Sequence, residues 1–216
     1  ENDTTNTVHL VVFGAGLQAE LHVRTLSHTM ERLTGITIVN RSIEHAERLR
    51  ERVVMGEGYC PGLAVDNVDC ISLSDSSGVE QAVRRADVIV TATKSTTPLF
   101  KGEWVKRGCH INSVGSYSKF MEEVDSNFVK ERCWTLIDTM EAMKVGELTK
   151  ISEVSDNYLG LLGDALRGDV VIPSIAKEQH HNEALLDCTF FKSVGTAIED
   201  VLTANEIVKY AEANNI

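Results

Sequence analysis

The stretch Val8-His9-Leu10-Val11-Val12-Phe13-Gly14-Ala15-Gly16-Leu17-Gln18-Ala19 is an apolar, β-prone run followed by a glycine-rich turn and a helical segment. Gly14 permits a tight turn, Gly16 lets the backbone approach a ligand without a Cβ in the way, and Ala19 allows close packing of helix on strand. The N–H groups of the turn and the positive end of the helix dipole then face an anion. This context favours a dinucleotide pyrophosphate site at residues 14–18, although purely structural turns also use glycines.

The overall composition limits the classes of protein to consider. The chain has 216 residues, of which 43% are hydrophobic, enough to bury a sizeable core. Its net charge of −11 argues against nucleic acid or an anionic membrane as partner, since both would repel it. No apolar run reaches the roughly 18 residues that a membrane span needs, so none is predicted.

The cysteines are odd in number, widely spread and without a CxxC pair. This pattern is typical of reduced thiols in a cytoplasmic protein and argues against a disulfide framework or a zinc site. The five residues are Cys60, Cys70, Cys109, Cys133 and Cys188.

Short β-prone runs alternate with segments of helical periodicity along the chain. Strands are predicted at residues 8–13, 36–39, 68–73, 87–91, 109–114, 134–137 and 188–192. Helices are predicted from residue 17 to about Gly35 and at 43–52, 79–86, 125–132, 142–148, 158–166 and 196–213, with a loop at 55–67. The alternation predicts a single α/β domain over residues 1–216, a Rossmann-type doubly wound, mostly parallel sheet with flanking helices and a long C-terminal helix.

The second predicted strand ends at Asn40-Arg41-Ser42, where a site specific for NAD usually has an acidic residue. A guanidinium cannot accept a hydrogen bond from a ribose hydroxyl, but it forms charge-assisted bonds with a 2′-phosphate. The motif therefore favours NADP(H) over NAD(H). The alternative is that Arg41 is only a solvated residue at a helix start.

Small polar residues follow the fourth and fifth predicted strands. Thr91-Ala92-Thr93-Lys94 and Ser113-Val114-Gly115 suit a backbone that lies along a nicotinamide ribose, although such residues also cap helices routinely. Tyr117 follows in the expected cleft, where a phenol could donate a proton or pack on a ring. His22 is interpreted as a structural histidine, and His180-His181 as part of a surface turn.

The chain contains six motifs in this order: 14–19 (GAGLQA), Asn40-Arg41-Ser42, 86–93 (ADVIVTAT), 108–115 (GCHINSVG), Leu162-Gly163-Asp164 and 191–200 (FKSVGTAIED). This set resembles the ornithine cyclodeaminase and mu-crystallin family. The first two motifs also occur in shikimate dehydrogenase-like and glutamyl-tRNA reductase-like domains, whereas the last is far more specific.

The resemblance implies a role for each motif. The glycine turn would hold the pyrophosphate, residues 40–42 the 2′-phosphate, and residues 91–94 and 113–115 the ribose and nicotinamide, with Ser193 near the ring. Tyr117 stands where the cyclodeaminases carry an Asp that assists proton transfer. Mu-crystallin-like members also lack that Asp and reduce cyclic ketimines with NADPH, so the resemblance favours reduction of an imine derived from an amino acid.

Other functions stay open at this stage: a true ornithine cyclodeaminase, an amino-acid dehydrogenase, an NADPH-dependent small-ligand-binding protein without turnover, and an inactive fragment. The resemblance covers only the cofactor-binding part of the family, and residues 1–7 form a polar lead-in without an initiator Met. We therefore expect a chain cut from a longer, homodimeric protein. In the family, the C-terminal helix packs against the missing N-terminal region. The resemblance therefore implies that the apolar side of this helix, with Ile198, Val201, Leu202 and Val208, is exposed in this chain or paired with another copy.

Overall fold

A computed structural model describes residues 7–55, 67–151, 157–171 and 186–214. Within these residues, the strands are β1 (Val8–Phe13), β2 (Leu33–Asn40), β3 (Val68–Ser72), β4 (Val88–Thr91), β5 (His110–Ser113), β6 (Cys133–Ile137), β7 (Tyr158–Leu161) and β8 (Cys188–Lys192). The α-helices are α1 (Leu17–Thr29), α2 (Ile43–Met55), α3 (Ser76–Arg85), α4 (Ser126–Arg132), α5 (Leu162–Arg167) and α6 (Ala197–Asn214). Residues 56–66 of the predicted loop 55–67 lie outside the described ranges.

The eight strands form one sheet in the order β3-β2-β1-β4-β5-β8-β6-β7. Each pair of neighbouring strands is parallel. The chain builds outward from β1 to β3, then returns to the other side of β1 with β4. This arrangement confirms the predicted doubly wound α/β fold and places the switch in strand order between β1 and β4, where such sheets bind ligands.

Both faces of the sheet are covered, which explains why β1 is apolar at successive positions. Leu10 and Val12 pack with residues of α1 and α2 on one face. Val11 and Phe13 pack with residues of α3 and α4 on the other face, and all four side chains are fully buried. Ala19, on the first turns of α1, is also fully buried, as close packing of helix on strand requires.

The predicted end of the first helix near Gly35 is wrong. Helix α1 ends at Thr29, and Gly35 lies within β2. The β1–β2 register shifts at Val8 and His9, and a Cβ on Gly35 would lie 2.5 Å from Nδ1 of His9. The glycine therefore marks a close approach of two strands at an irregularity, a role that local sequence does not distinguish from helix termination.

Two predicted helices have a different structure. Residues 142–148 fall in two 3-10 helices, Met140–Lys144 and Gly146–Lys150. Gly146, the first residue of the second helix, has a φ of +57° and lies next to the Ser116 side chain. Residues 158–166 divide into strand β7 and helix α5. The Asp164 carboxylate accepts a hydrogen bond from the Leu161 amide at 3.3 Å and so fixes the start of α5.

The C-terminal helix is confirmed, with α6 at Ala197–Asn214 against the predicted 196–213. Its apolar side chains are exposed, Ile198 by 59% and Val201 by 62%, as one of the two expectations required. Among the described helices, none combines the length and the apolarity that crossing a membrane demands.

Candidate dinucleotide-binding site

A cleft of about 510 Å³ opens at the carboxyl ends of β1, β2 and β4, at the switch in strand order. It brings together eight of the predicted site residues, from three separate loops. They are Gly14, Ala15, Gly16, Asn40, Arg41, Ala92, Thr93 and Lys94. The parallel sheet places these loops side by side because carboxyl ends of parallel strands share one edge.

The glycine turn forms the floor of this cleft. Gly14 has a φ of +112°, and its amide donates to the Val39 carbonyl oxygen at 2.8 Å. A Cβ on Gly14 would lie 2.5 Å from the Ala92 carbonyl oxygen, so only glycine fits between β1 and β4 there. Gly16 differs, because a Cβ built on it would meet no atom within 4 Å and would project into open space.

Gly16 is also the N-cap of α1, and no side chain caps this helix end. The first N–H groups of a helix have no carbonyl partner within it and carry partial positive charge. Without a capping oxygen, these donors are available to a ligand anion. Open space at Gly16 and an uncapped helix N-terminus are what a pyrophosphate requires.

Two cations stand at the rim of the cleft. Arg41 and Lys94 are exposed, and neither forms an ion pair with another described residue. In a chain with a net charge of −11, unpaired cations at one cleft favour an anionic ligand there. Ser42 is already engaged, since its hydroxyl donates to Glu44 Oε2 at 2.6 Å and accepts from the His45 amide at the start of α2.

The loop after β5 borders a buried polar cluster that the sequence analysis missed. Lys192, at the end of β8, is fully buried; its Nζ lies 3.1 Å from Ser113 Oγ and 3.2 Å from Glu147 Oε2 and also contacts Ser116 Oγ. Glu147 is equally buried and accepts from the Ser116 hydroxyl at 2.8 Å. The one available signal was a lysine at the end of an otherwise apolar strand.

Glu123 joins this cluster to the cleft. Its Oε1 accepts from the Thr93 amide at 2.6 Å, and its Oε2 accepts from the Gly115 amide at 2.8 Å. Burial raises the pKa of the Glu123 carboxyl above its ordinary value, although the hydrogen bonds from Thr93 oppose this shift. Nothing in the neighbouring sequence distinguishes Glu123 from the adjacent Glu122.

Five further predicted residues are absent from the described lining of the cleft: Thr91, Ser113, Val114, Gly115 and Ser193. Thr91 and Ser113 are buried at the ends of β4 and β5, and the Thr91 carbonyl accepts from the amides of Val114 and Gly115. Ser193 donates to Asp138 Oδ2 at 3.0 Å, and this oxygen also accepts from the Val194 and Gly195 amides. Asp138 was also missed, because it lies 55 residues from Ser193.

The structure does not bring every candidate to the cleft wall. Leu17 is 69% exposed, the Tyr117 side chain is 54% exposed, and Gln18 bonds through its carbonyl oxygen to His22 Nδ1 at 2.7 Å. These side chains and Ser42 are absent from the described lining of the cleft. His180 and His181 lie outside the described residues.

The chain was compared with known proteins. The family model described as "Ornithine cyclodeaminase/mu-crystallin family" matches residues 3–215. A ketimine reductase mu-crystallin from Macropus fuliginosus is 30% identical over 90% of the chain and 52% of its own length. An uncharacterized cyclodeaminase from Dictyostelium discoideum is 31% identical, over 96% of the chain and 59% of its own length. The chain thus spans little more than half of these relatives.

A solved structure shows the same fold. The Δ1-pyrroline-2-carboxylate reductase of Thermococcus litoralis, in complex with NADH and L-proline, superposes with a TM-score of 0.74 at 20% identity. The match covers 97% of this chain and 60% of that one.

Proposed function

Because the chain belongs to the ornithine cyclodeaminase/mu-crystallin family, as its motifs indicated, we propose that its cleft binds a nicotinamide dinucleotide, NADP(H) in preference to NAD(H). We propose further that the complete protein is an oxidoreductase that reduces a cyclic ketimine or a related imine derived from an amino acid. The relatives supporting this activity are a ketimine reductase and a pyrroline-2-carboxylate reductase.

The observation that carries the proposal is the uncapped N-terminus of α1, which faces a cleft with two exposed cations, Arg41 and Lys94, that pair with no acidic residue in the described part of the chain. The backbone donors of the glycine turn would hold the pyrophosphate, and Arg41 the 2′-phosphate. Thr93, Lys94 and the loop 113–115 continue along the same edge of the sheet and would line the ribose and nicotinamide, with Ser193 beyond them. When bound, the reduced nicotinamide supplies a hydride to the imine carbon, while the nitrogen takes a proton and becomes an amine.

Imine reduction asks little acid-base chemistry of the protein beyond positioning, since the imine nitrogen can arrive already protonated. The loops at this edge of the sheet supply backbone amides and small hydroxyl groups that can position a substrate. Oxidation of an amine with release of ammonia needs a base near the amine. Tyr117 stands where the cyclodeaminases carry an Asp, which makes this second reaction the weaker candidate.

The activity is tested on the complete protein with NADPH and a cyclic ketimine. We expect oxidation of NADPH that depends on the ketimine and yields the cyclic amino acid. Binding of the ketimine without oxidation of NADPH would indicate a ligand-binding protein, and release of ammonia from ornithine would indicate a cyclodeaminase. Either of these outcomes, in the absence of ketimine reduction, contradicts the proposed activity.

Tyr117 is proposed as a proton donor to the substrate, on its position after β5 rather than on a contact with the cleft. In the ketimine assay, Tyr117→Phe removes only the hydroxyl group. A lower rate of reduction supports the assignment, and an unchanged rate shows that the proton has another source.

Arg41→Ala is expected to remove most of the preference for NADPH over NADH. Loss of a charge-assisted contact with the 2′-phosphate weakens NADPH binding by about 10-fold or more, whereas the affinity for NADH changes little. Titration calorimetry with both coenzymes measures this ratio. Arg48→Ala is the matched control, since Arg48 is an exposed arginine on α2 whose Nε donates to the Glu44 carbonyl oxygen. Equal affinities of the unmodified chain for both coenzymes would refute the assignment of Arg41.

The organisation of the whole protein is also a proposal. Hydrogen bonding is continuous across the sheet, which supports residues 1–216 as a single dinucleotide-binding domain. The exposed apolar side of α6 supports an interface in a homodimer of the complete protein. The described cysteines are free thiols, as expected of a cytoplasmic protein.

A further inference from the structure

One carboxylate connects the loop after β4, which lines the cleft, with the loop after β5. Glu123 Oε1 accepts from the amide and the hydroxyl of Thr93, at 2.6 and 2.7 Å, in the loop after β4. Its other oxygen, Oε2, accepts from the Gly115 amide at 2.8 Å in the loop after β5. A single planar group therefore bonds to both loops, in addition to the backbone hydrogen bonds that join them from Glu122 to Ser95 and from Leu99 to Glu123.

The Glu123 carboxylate, Gly115 and Thr93 are tightly packed against one another. A Cβ on Gly115 would lie 2.6 Å from Glu123 Oε1 and would overlap the Thr93 backbone. Glycine at position 115 lets the two loops and the carboxylate come into contact. The Glu123 side chain is fully buried, so water does not compete for these hydrogen bonds.

The backbone of Glu123 is also held in place by hydrogen bonds. Its amide donates to Glu147 Oε1 at 2.7 Å, and its carbonyl oxygen accepts from the amide of Leu99, which lines the cleft, at 2.9 Å. Glu147 in turn is paired with the buried Lys192. The cluster thus forms a continuous chain of contacts from the end of β8 to the wall of the cleft.

We propose that Glu123 is a positioning residue, whose carboxylate holds the loops after β4 and β5 at the spacing that the bound dinucleotide requires. This inference rests on the proposed dinucleotide-binding function. Glu123 does not line the cleft, so it acts through Thr93 and Gly115 rather than by touching the ligand. Both oxygens must be acceptors for the clamp to close, which requires the ionised carboxylate.

The test compares Glu123→Gln with Glu122→Gln. The glutamine at 123 has nearly the same shape, but its NH2 group faces an N–H donor, so the side-chain hydrogen bond to one of the two loops is lost. Glu122 is the matched control because its buried carboxylate binds Ser126 and Lys150 instead. We expect NADPH affinity at neutral pH to fall about 10-fold or more in E123Q and to change no more than about 2-fold in E122Q.

A pH series separates positioning from a general structural effect. NADH is the probe, since the 2′-phosphate of NADPH itself titrates near pH 6. In the unmodified chain and in E122Q, affinity should fall as pH decreases through the range in which Glu123 takes up a proton, because protonation removes one acceptor. Burial raises the pKa of Glu123, so this range lies above that of an ordinary glutamate. The charged group that acts on the Glu123 carboxyl from another element is Glu147, which is itself paired with Lys192. The NADH affinity of E123Q should not show this fall with decreasing pH.

Amide exchange without nucleotide provides an independent measurement. The Thr93 amide should exchange about 10-fold faster or more in E123Q than in E122Q, with other amides of the sheet unchanged. The Gly115 amide should change less, because it also donates to the Thr91 carbonyl oxygen at 3.1 Å. A chain that binds neither coenzyme overturns the proposed function, and the exchange rates then report on the clamp alone. Normal coenzyme binding with equal behaviour of the two variants overturns the inference. If E123Q does not fold, a flat pH profile of the unmodified chain overturns it.

Discussion

Gly16→Ala is expected to weaken NADPH binding about 10-fold to 100-fold while changing the free energy of unfolding by no more than about 1 kcal/mol. The added Cβ would meet no protein atom within 4 Å, so the fold tolerates it. It would instead occupy the space in which the pyrophosphate approaches the uncapped end of α1. Titration calorimetry and denaturant unfolding of the same preparation measure the two effects separately.

Gly14→Ala is the informative contrast because its Cβ would meet the protein rather than the ligand. The substitution combines an unfavourable φ of +112° with a 2.5 Å contact to the Ala92 carbonyl oxygen, and the Ala92 amide is itself bonded to Phe13 at 2.9 Å. It should destabilise the fold by about 3 kcal/mol. Gly108→Ala shares a positive φ but has open space around it, so it should cost only about 1 kcal/mol. Equal NADPH affinity of Gly16→Ala and the unmodified chain would show that the ligand does not approach this turn.

Lys192→Met is expected to destabilise the fold by about 3 to 5 kcal/mol. The methionine fills most of the volume of the lysine, but it leaves the fully buried Glu147 carboxylate without its cation. Burial of an unpaired charge is costly because the low-dielectric interior does not replace the lost hydration. Unfolding in urea, followed by circular dichroism, measures the difference.

The control for this prediction is a second lysine–glutamate ion pair, which is exposed to solvent. Lys144 and Glu141 lie 2.6 Å apart, but their side chains are 68% and 69% exposed. Lys144→Met should therefore change the free energy of unfolding by less than about 1 kcal/mol. If the two lysine variants are equally stable, the cluster at Lys192 does not act as a buried ion pair.

The sequence was sufficient to predict the sheet and the glycine turn because both depend on local patterns. Runs such as Val88–Thr91 are short, apolar and β-branched, and Gly14 and Gly16 stand at fixed offsets from a strand and a helix. Gly35 was misread because glycine serves equally at a helix end and at a strand irregularity. Only the neighbouring His9 ring distinguishes the two roles, and that contact belongs to the tertiary structure.

The buried polar cluster could not be predicted for the same reason. Glu147 meets Ser116 across 31 residues, and Lys192 meets Ser113 across 79. Neither spacing has a periodicity that a helix or strand would produce. Local patterns therefore located the part of the site made of backbone, whereas the side chains that fix the loops depend on strand order in the sheet.

Titration calorimetry of the unmodified chain with NADPH tests the central claim most directly. We expect saturable binding of one NADPH per chain, tighter than that of NADH and strongly weakened by Gly16→Ala. A chain that takes up neither coenzyme, or one that binds NADPH with undiminished affinity after Gly16→Ala, would contradict the claim that the end of helix α1 holds the pyrophosphate.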